Sequence, residues 1–355
     1  MQRAVADGVF PGGVLLAAHK GRVLSLDAFG LARITPERSM TVDTVFDLAS
    51  LTKPLATALA LMFLVQSGKV QVDQTLANTI SNFSGTDKRA VTIRQLLSHV
   101  SGLPDYRPYY RRLSEIGPSE RKDALRALVV AEPLIDEPGN TSLYSDVGFM
   151  ILGWVIEAVA EKPLDRFVEE TVYKPLGLKH LFFVPLLDGK KRNGLSYAAT
   201  EQCPWRKEIM DGQVHDDNAY VVGGVAGHAG LFGKAKDMHD LLEELLITYH
   251  GRGSAGLFER RVVQTFLKRQ SNTSTWALGF DTPTRPHSSS GRYFSDQSVG
   301  HLGFTGASFW MDLEQEVIII LLTNRIHPTR DNERIKTFRP LLHDAVMEAI
   351  LSAES

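Results

Sequence analysis

The chain has 355 residues and a net charge of −2 at pH 7, so no bulk positive charge draws it to nucleic acid or to an anionic membrane. Its 43% hydrophobic and 23% charged residues are ordinary for a globular protein, and the length suits one large or two medium domains. A single cysteine, Cys203, excludes an internal disulfide and a cysteine-based zinc cluster.

The first ten residues lack the long apolar core of a secretory leader. As written, the chain reads as cytoplasmic; with a leader removed, it reads as periplasmic or exported. Residues 2–9 fit a short helix. Residues 13–19 and 22–29 fit two strands of a hairpin turning at Lys20-Gly21.

After residues 41–47 comes Leu48-Ala49-Ser50-Leu51-Thr52-Lys53-Pro54, which leads into an almost unbroken apolar run over 55–65. A helix that is apolar all round belongs in a core, and this run is shorter than a membrane span requires. No transmembrane segment is expected. Pro54 suits the first turn, and Gly68 is a natural stop. Ser50 then stands at the exposed mouth of a buried helix.

Positions i and i+3 share a helix face, which brings the Lys53 amine beside the Ser50 hydroxyl. A serine becomes a competent nucleophile when a neighbouring base takes its proton. A lysine in dry, partly cationic surroundings can lose its own proton and act as that base. The positive helix end and its free amides favour an alkoxide and an oxyanion. The competing reading makes Ser50 a plain N-cap. The same spacing recurs at Ser119-Glu120-Arg121-Lys122, but a polar segment follows, and Ser119 reads as an N-cap among surface charges.

Residues 92–99 fit a short helix and 101–104 a turn. Residues 106–121 are aromatic and basic, including Tyr106, Tyr109, Tyr110 and Arg112, and read as a surface segment or as a cleft wall. A turn at 137–140 precedes Tyr144-Ser145-Asp146, and a helix follows over 147–161. The Gly-rich residues 213–234 fit neither dinucleotide-binding nor P-loop spacing, and read as a packed loop before a helix over 235–248. Apolar runs at 307–311 and 316–322 form a hairpin around 312–315, with 317–322 as a central buried strand. A last helix covers 338–351. No internal repeat is visible.

Strands at both ends with helices between them indicate an α+β fold. An antiparallel sheet, flanked by N- and C-terminal helices, is expected from residues 1–45 plus 275–355. A mostly helical region is inserted over 46–274, and the active site lies in the cleft between the two.

Three pieces stand in order: Ser50-Leu51-Thr52-Lys53, Tyr144-Ser145-Asp146 and His301-Leu302-Gly303. Together they resemble the serine β-lactamase and penicillin-binding-protein superfamily, in its class C-like branch with esterase, D-aminopeptidase and muropeptide amidase relatives. The second piece looks like the branch's Tyr-x-Asn element. The third looks like the Lys-Thr-Gly motif in its His-x-Gly form. Flanking text agrees at 96–103 (Leu-Leu-Ser-His-Val-Ser-Gly-Leu), Pro138-Gly139, 175–178, 300–306 and Thr323-Asn324-Arg325. The resemblance spans nearly the whole chain and implies a β-lactamase/transpeptidase-like fold.

It also implies a serine hydrolase that forms an acyl-Ser50 intermediate from a small ester, amide or peptide, with no cofactor. The alternative is a penicillin-binding or cell-wall-recognition protein with little turnover. Lys53 is implied as the proton partner of Ser50. Tyr144, as a phenolate beside the Lys53 ammonium, is implied as base and then acid. His301 and Gly303 line the substrate cleft, and the amides of Ser50 and Phe304 form the oxyanion hole.

Two departures from the pattern stand out. Asp146 replaces the usual Asn and puts a carboxylate where an amide normally meets the substrate, unless it only caps the following helix. His301 replaces Lys and would carry a charge that titrates near neutral pH. Both favour an ester or amide other than a β-lactam. His215, Asp216 and His228 resemble part of the amidase branch. Their reading is loop packing rather than metal binding, and no metal is expected. Oligomeric state is not legible.

Overall fold

A hairpin and a distant C-terminal meander share one antiparallel sheet. Its strands are β1 (Gly12–His19), β2 (Arg22–Arg33), β3 (Arg38–Ser39), β4 (Val299–Leu302), β5 (Ser308–Asp312) and β6 (Val317–Thr323), in the order β3-β2-β1-β6-β5-β4. These elements belong to a computed structural model that describes residues 1–354 except 187–191, 193, 254–255 and 273. The β1–β2 turn places Lys20 and Gly21 at φ 50° and 78°, the left-handed pair that a two-residue hairpin turn needs. Leu16 pairs with Leu26 on one side and Ile320 on the other, so β1 and β6 sit at the centre.

β6 is buried on both faces because successive side chains alternate. Ile318, Ile320 and Leu322 enter the main core. Val317 and Ile319 pack with Met347 and Ile350 of the C-terminal helix, Ile335–Glu354, and Leu321 packs with Ala4 of the N-terminal helix, Gln2–Ala6. The two terminal helices therefore cover one face. The Ala235–His250 helix packs on the other, against β1 and β6. The fold is the α+β arrangement of a central antiparallel sheet with terminal helices.

The stretch Ala49–Gln66 is apolar enough to cross a membrane by length and composition, but 78% of it is buried inside the protein. It is not a uniform helix. Ala49–Leu51 forms a tight 3-10 turn, Lys53–Ala58 a wide π turn, and only Leu59–Gln66 is a regular α-helix. A π segment of this kind is frequent at functional sites. Leu55, Leu59 and Met62 share a core with Phe149, Ile151 and Leu152 of the helix Asp146–Ala160.

Residues between the sheet's two halves are not all helical. Phe46–Asp47, Leu231–Gly233 and Leu181–Phe183 form a small sheet in which Leu231–Gly233 is central, and Gln202–Cys203 pairs with Glu208–Ile209. The Gly-rich loop likewise contains a short helix, Asp217–Val221, as well as the Leu231–Gly233 strand. Ser119 does not cap the helix that follows it. Glu120 precedes Arg121–Ala131 and makes no side-chain cap.

Candidate active site

The Ser50 turn is held from both sides. Asp47, at the end of its short strand, accepts the amides of Ala49 at 2.8 Å and His215 at 2.7 Å. Ala49 takes a left-handed φ of 47°, a conformation costly for a residue with a side chain and maintained only by its surroundings. Thr52 Oγ1 donates to the Ala49 carbonyl at 2.6 Å and accepts the Leu231 amide at 3.0 Å. Ser50 caps nothing: no side-chain cap precedes the Ala49–Leu51 turn or the Lys53–Ala58 turn. Its hydroxyl accepts instead from Lys53 Nζ at 3.0 Å.

Lys53 is fully buried. Its ammonium also donates to Asp146 Oδ1 at 2.7 Å and to the His228 carbonyl at 3.1 Å, which uses all three of its protons. Burial lowers the Lys53 pKa, but the charge and hydrogen bond of Asp146, with help from Tyr144, more than reverse this, and the pKa ends up raised. Lys53 therefore rests as the ammonium. Of the two readings of Lys53, a neutral base and an ammonium beside Tyr144, the raised pKa fits the ammonium, because Asp146 supplies a negative charge that the sequence reading did not place here.

Asp146 opens its helix without capping it. Ser145 is the cap: its hydroxyl accepts the Gly148 amide at 3.1 Å and donates to the Pro104 carbonyl at 2.6 Å.

The Tyr144 ring lies 4.8 Å from Lys53 Nζ. Burial raises the Tyr144 pKa. The nearby Lys53 charge lowers it without winning, and Asp146 adds to the rise. Tyr144 is a neutral phenol, not the expected phenolate. His301 is corrected in the same way. Burial, then the nearby Lys53 charge, push its pKa down to about 3, so it is neutral at pH 7. Its Nδ1 bonds with the Leu302 carbonyl at 2.9 Å, and its Nε2 has no partner among the described residues.

An aromatic wall supports these groups. His99 lies 4.7 Å from Tyr144 and 4.4 Å from Trp276, centroid to centroid, and Trp276 lies 5.8 Å from His301. His99 Nδ1 accepts the Ser145 amide at 3.0 Å. Burial and then the Lys53 charge hold its pKa well below the usual histidine value.

β4 is the edge strand, and its end meets the Ser50 turn. A Cβ on Gly303 would sit 2.7 Å from the Leu48 carbonyl oxygen, so only glycine fits there. Thr305 Oγ1 ties the same turn to the Asp47 carbonyl at 2.8 Å. The amides of Ser50 and Phe304 donate to no acceptor among the described residues. Gly227 lies against the Asp146–Ala160 helix, where a Cβ would meet the Phe149 carbonyl oxygen at 2.1 Å; this approach carries the next residue's carbonyl to Lys53.

Ser50, Tyr144, Asp146, His301, Gly303 and Phe304 all line one cavity of about 680 Å³, together with Tyr106 and Trp276. Lys53 lies beneath its floor. A dry amine, a phenol and a carboxylate thus converge on a serine hydroxyl at the base of a substrate-sized cavity.

The sequence profile described as Beta-lactamase matches residues 1–343. The chain belongs to the Beta-lactamase family. It is a serine hydrolase of the β-lactamase type. A putative D-alanyl-D-alanine carboxypeptidase of Salmonella typhi is 34% identical over 368 aligned positions, covering 93% of this chain and 82% of the relative. Among solved structures, EstCE1, titled a hydrolase with promiscuous acyltransferase activity, shares 24% identity with a TM-score of 0.72 over 96% of each chain. The LovD9 mutant of simvastatin synthase from Aspergillus terreus shares 17% identity with a TM-score of 0.74, covering 99% of this chain and 97% of the other. These last two are likenesses of fold.

In this β-lactamase-family chain the loop histidines pair with separate carboxylates. His228 Nε2 is 3.0 Å from Asp216, and His215 Nε2 is 3.0 Å from Glu201. Burial disfavours the Asp216 carboxylate, but His228 and the Ala219 amide hold its pKa well below the usual range. Among the described residues no group of three His, Cys, Asp or Glu side chains is placed to hold a metal.

Sequence reasoning missed Trp276 and Arg339, and quoted Arg325 only as text flanking the motifs, with no role. Nothing near Trp276 marks it. The arginines follow a strand end and sit within a helix, where surface placement is the default reading.

Proposed function

We propose that the chain cleaves an ester or amide through an acyl-Ser50 intermediate, and that peptides ending in D-alanyl-D-alanine are the leading substrates. The relatives' name supports the substrate class. One observation carries the mechanism: Lys53 Nζ stands 3.0 Å from Ser50 Oγ and 2.7 Å from Asp146 Oδ1.

Ser50 Oγ attacks the substrate carbonyl, and the developing oxyanion is met by the Ser50 and Phe304 amides. The serine proton passes to Lys53 Nζ as Lys53 passes one of its own to Asp146 Oδ1. Lys53 stays an ammonium, and Asp146 holds the extra proton. Neutral Tyr144 is poised as the acid. It protonates the departing amine or alkoxide and recovers its proton from the Lys53–Asp146 pair. Water then attacks the acyl-serine along the reverse proton path. His301, uncharged, shapes the cavity and offers Nε2 to the substrate.

Intact-mass measurement tests this reading, after incubation with p-nitrophenyl esters, muropeptides and a fluorescent penicillin. An acyl adduct that maps to Ser50 and is absent from Ser50→Ala supports it. Equal ester turnover by the two proteins overturns it. The Asp146 carboxylate at the cavity wall favours a second outcome with penicillin, slow labelling without release, over fast hydrolysis.

A further inference from the structure

β4 and β5 are joined by a tight turn over 303–307, and that turn carries the Phe304 amide. Within it the Gly303 amide donates to the Ala307 carbonyl at 2.7 Å, and the Gly306 amide donates to the Gly303 carbonyl at 3.1 Å. Arg339 reaches the same two carbonyls from the C-terminal helix: its Nη2 donates to Gly303 at 3.1 Å and to Ala307 at 2.9 Å. The arginine is 5% exposed and lines the serine cavity. Burial, then repulsion from Arg325, lower its pKa to about 9, so it remains a guanidinium at pH 7. Glu333 offsets the charge of Arg325, and Asp281 shares the cavity, but neither pairs with Arg339 among the described residues.

The Gly303 carbonyl and the Phe304 N–H are the two ends of one planar, conjugated peptide group. A cation that donates to the oxygen draws electron density toward it and strengthens the N–H at the other end as a donor. The effect is largest where water is excluded. The other half of the oxyanion hole is built alike: the Ala49 carbonyl, which shares its peptide with the Ser50 N–H, accepts the Thr52 hydroxyl at 2.6 Å. Arg325 acts one peptide further on. Its Nε donates to the Phe304 carbonyl at 2.9 Å, whose peptide partner is the Thr305 N–H.

We infer that Arg339 is a positioning residue for the acyl transfer: it fixes the 303–307 turn and polarises the Gly303–Phe304 peptide, which makes the Phe304 amide a stronger oxyanion donor than an ordinary backbone N–H. This rests on the acyl-Ser50 reading and assigns the guanidinium to the back of the oxyanion hole rather than to the substrate. Its planar fork suits the task, since one nitrogen spans both ends of the turn.

Phenylboronic acid tests this on the full-length protein. It bonds to Ser50 Oγ as a tetrahedral boronate with an oxygen at the oxyanion position, while the serine proton goes to the Lys53–Asp146 pair. Its inhibition constant is read from p-nitrophenyl ester turnover at pH 7. In Arg339→Met that constant should rise about tenfold and kcat/KM should fall by the same factor, a fraction of the roughly hundredfold cost of losing a whole oxyanion donor. Arg339→Lys, which keeps a cationic donor, should recover most of both. Neutral Arg339→Gln should not, and it gives the same reading if the Met variant fails to fold. Arg325→Met, on the neighbouring peptide, should weaken the inhibitor less than Arg339→Met does. A merely structural arginine would lower the fraction of active chains and leave the inhibition constant of the surviving sites at its native value. That result, a Lys variant no better than Gln, or Arg325→Met equalling Arg339→Met overturns the inference. Failure of the acyl-enzyme reading shows separately, as native protein that forms no Ser50 adduct and is not inhibited by the boronic acid.

Discussion

The chain contains Ser-x-x-Lys twice, and the two copies behave as different chemistry. At Ser50 the lysine is fully buried, reaches the hydroxyl at 3.0 Å and is matched by a carboxylate 93 residues away in sequence. At Ser119 both the serine and Lys122 are exposed, in a turn and at the start of a surface helix. Spacing puts an amine near a hydroxyl in either place. Only burial removes the competing water, and only the Asp146 carboxylate makes that burial tolerable. The reactive copy is therefore the one whose charge is dry and paired.

The largest expected effect breaks the comparison outright. Ser50→Ala should lower ester turnover by roughly a millionfold, the scale seen when a serine nucleophile is removed. Ser119→Ala should leave the rate within error in the same p-nitrophenyl ester assay. Next in size is Lys53→Met, which keeps the bulk and removes the ammonium. The proton path is lost and Asp146 is stranded without its cation, so kcat should fall about a thousandfold and stability by about 3 kcal/mol, read by thermal melting. Lys122→Met should do neither.

Asp146→Asn acts more subtly and sharpens the reason for the difference. In the native protein the folded-state pKa of Lys53 is raised, so the pairing stabilises the fold at all pH values below the ordinary lysine range. That contribution is lost only as pH rises through the raised value. With Asn in place the chief influence opposing burial is gone, and burial, the largest effect, drives the Lys53 pKa below its unfolded value. The sign reverses: the variant should be less stable than native at pH 7, and the deficit should shrink as pH approaches about 10, where the unfolded lysine also loses its proton. Melting curves at the two pH values check this. At pH 7 kcat should drop about tenfold, with less loss at higher pH as neutral Lys53 takes over as base.

Much of this site was legible in the residues. The run over 55–65 announces a buried helix, Ser50, Lys53 and Tyr144 announce the candidate reacting groups while Asp146 reads only as a substrate contact or a helix cap, and β6 declares itself by six consecutive apolar residues. What was not legible is what burial does to charge. Tyr144 and His301 are both neutral because the core around them penalises their ions, and desolvation has no signature in a linear string. The break of the helix into a 3-10 turn and a π turn was also hidden. It depends on Asp47 holding the amides of Ala49 and, 168 residues away in sequence, His215. The role of the Gly-rich loop was hidden for a related reason. Gly227 allows a close backbone approach, and the neighbouring carbonyl becomes a Lys53 acceptor, a contact that no side-chain motif encodes.

The smallest effect is expected from the double substitution Ser119→Ala with Lys122→Ala, and a small effect is the informative result. Neither side chain makes a hydrogen bond that holds the fold, since the Arg121–Ala131 helix begins without a side-chain cap. Exposed positions of this kind change stability by no more than about 0.5 kcal/mol in either direction. Turnover, the Ser50 adduct and the melting temperature should all stay at native values. If the double variant instead lost activity, the exposed copy would be taking part in catalysis, and burial would no longer separate the reactive pair from the inert one.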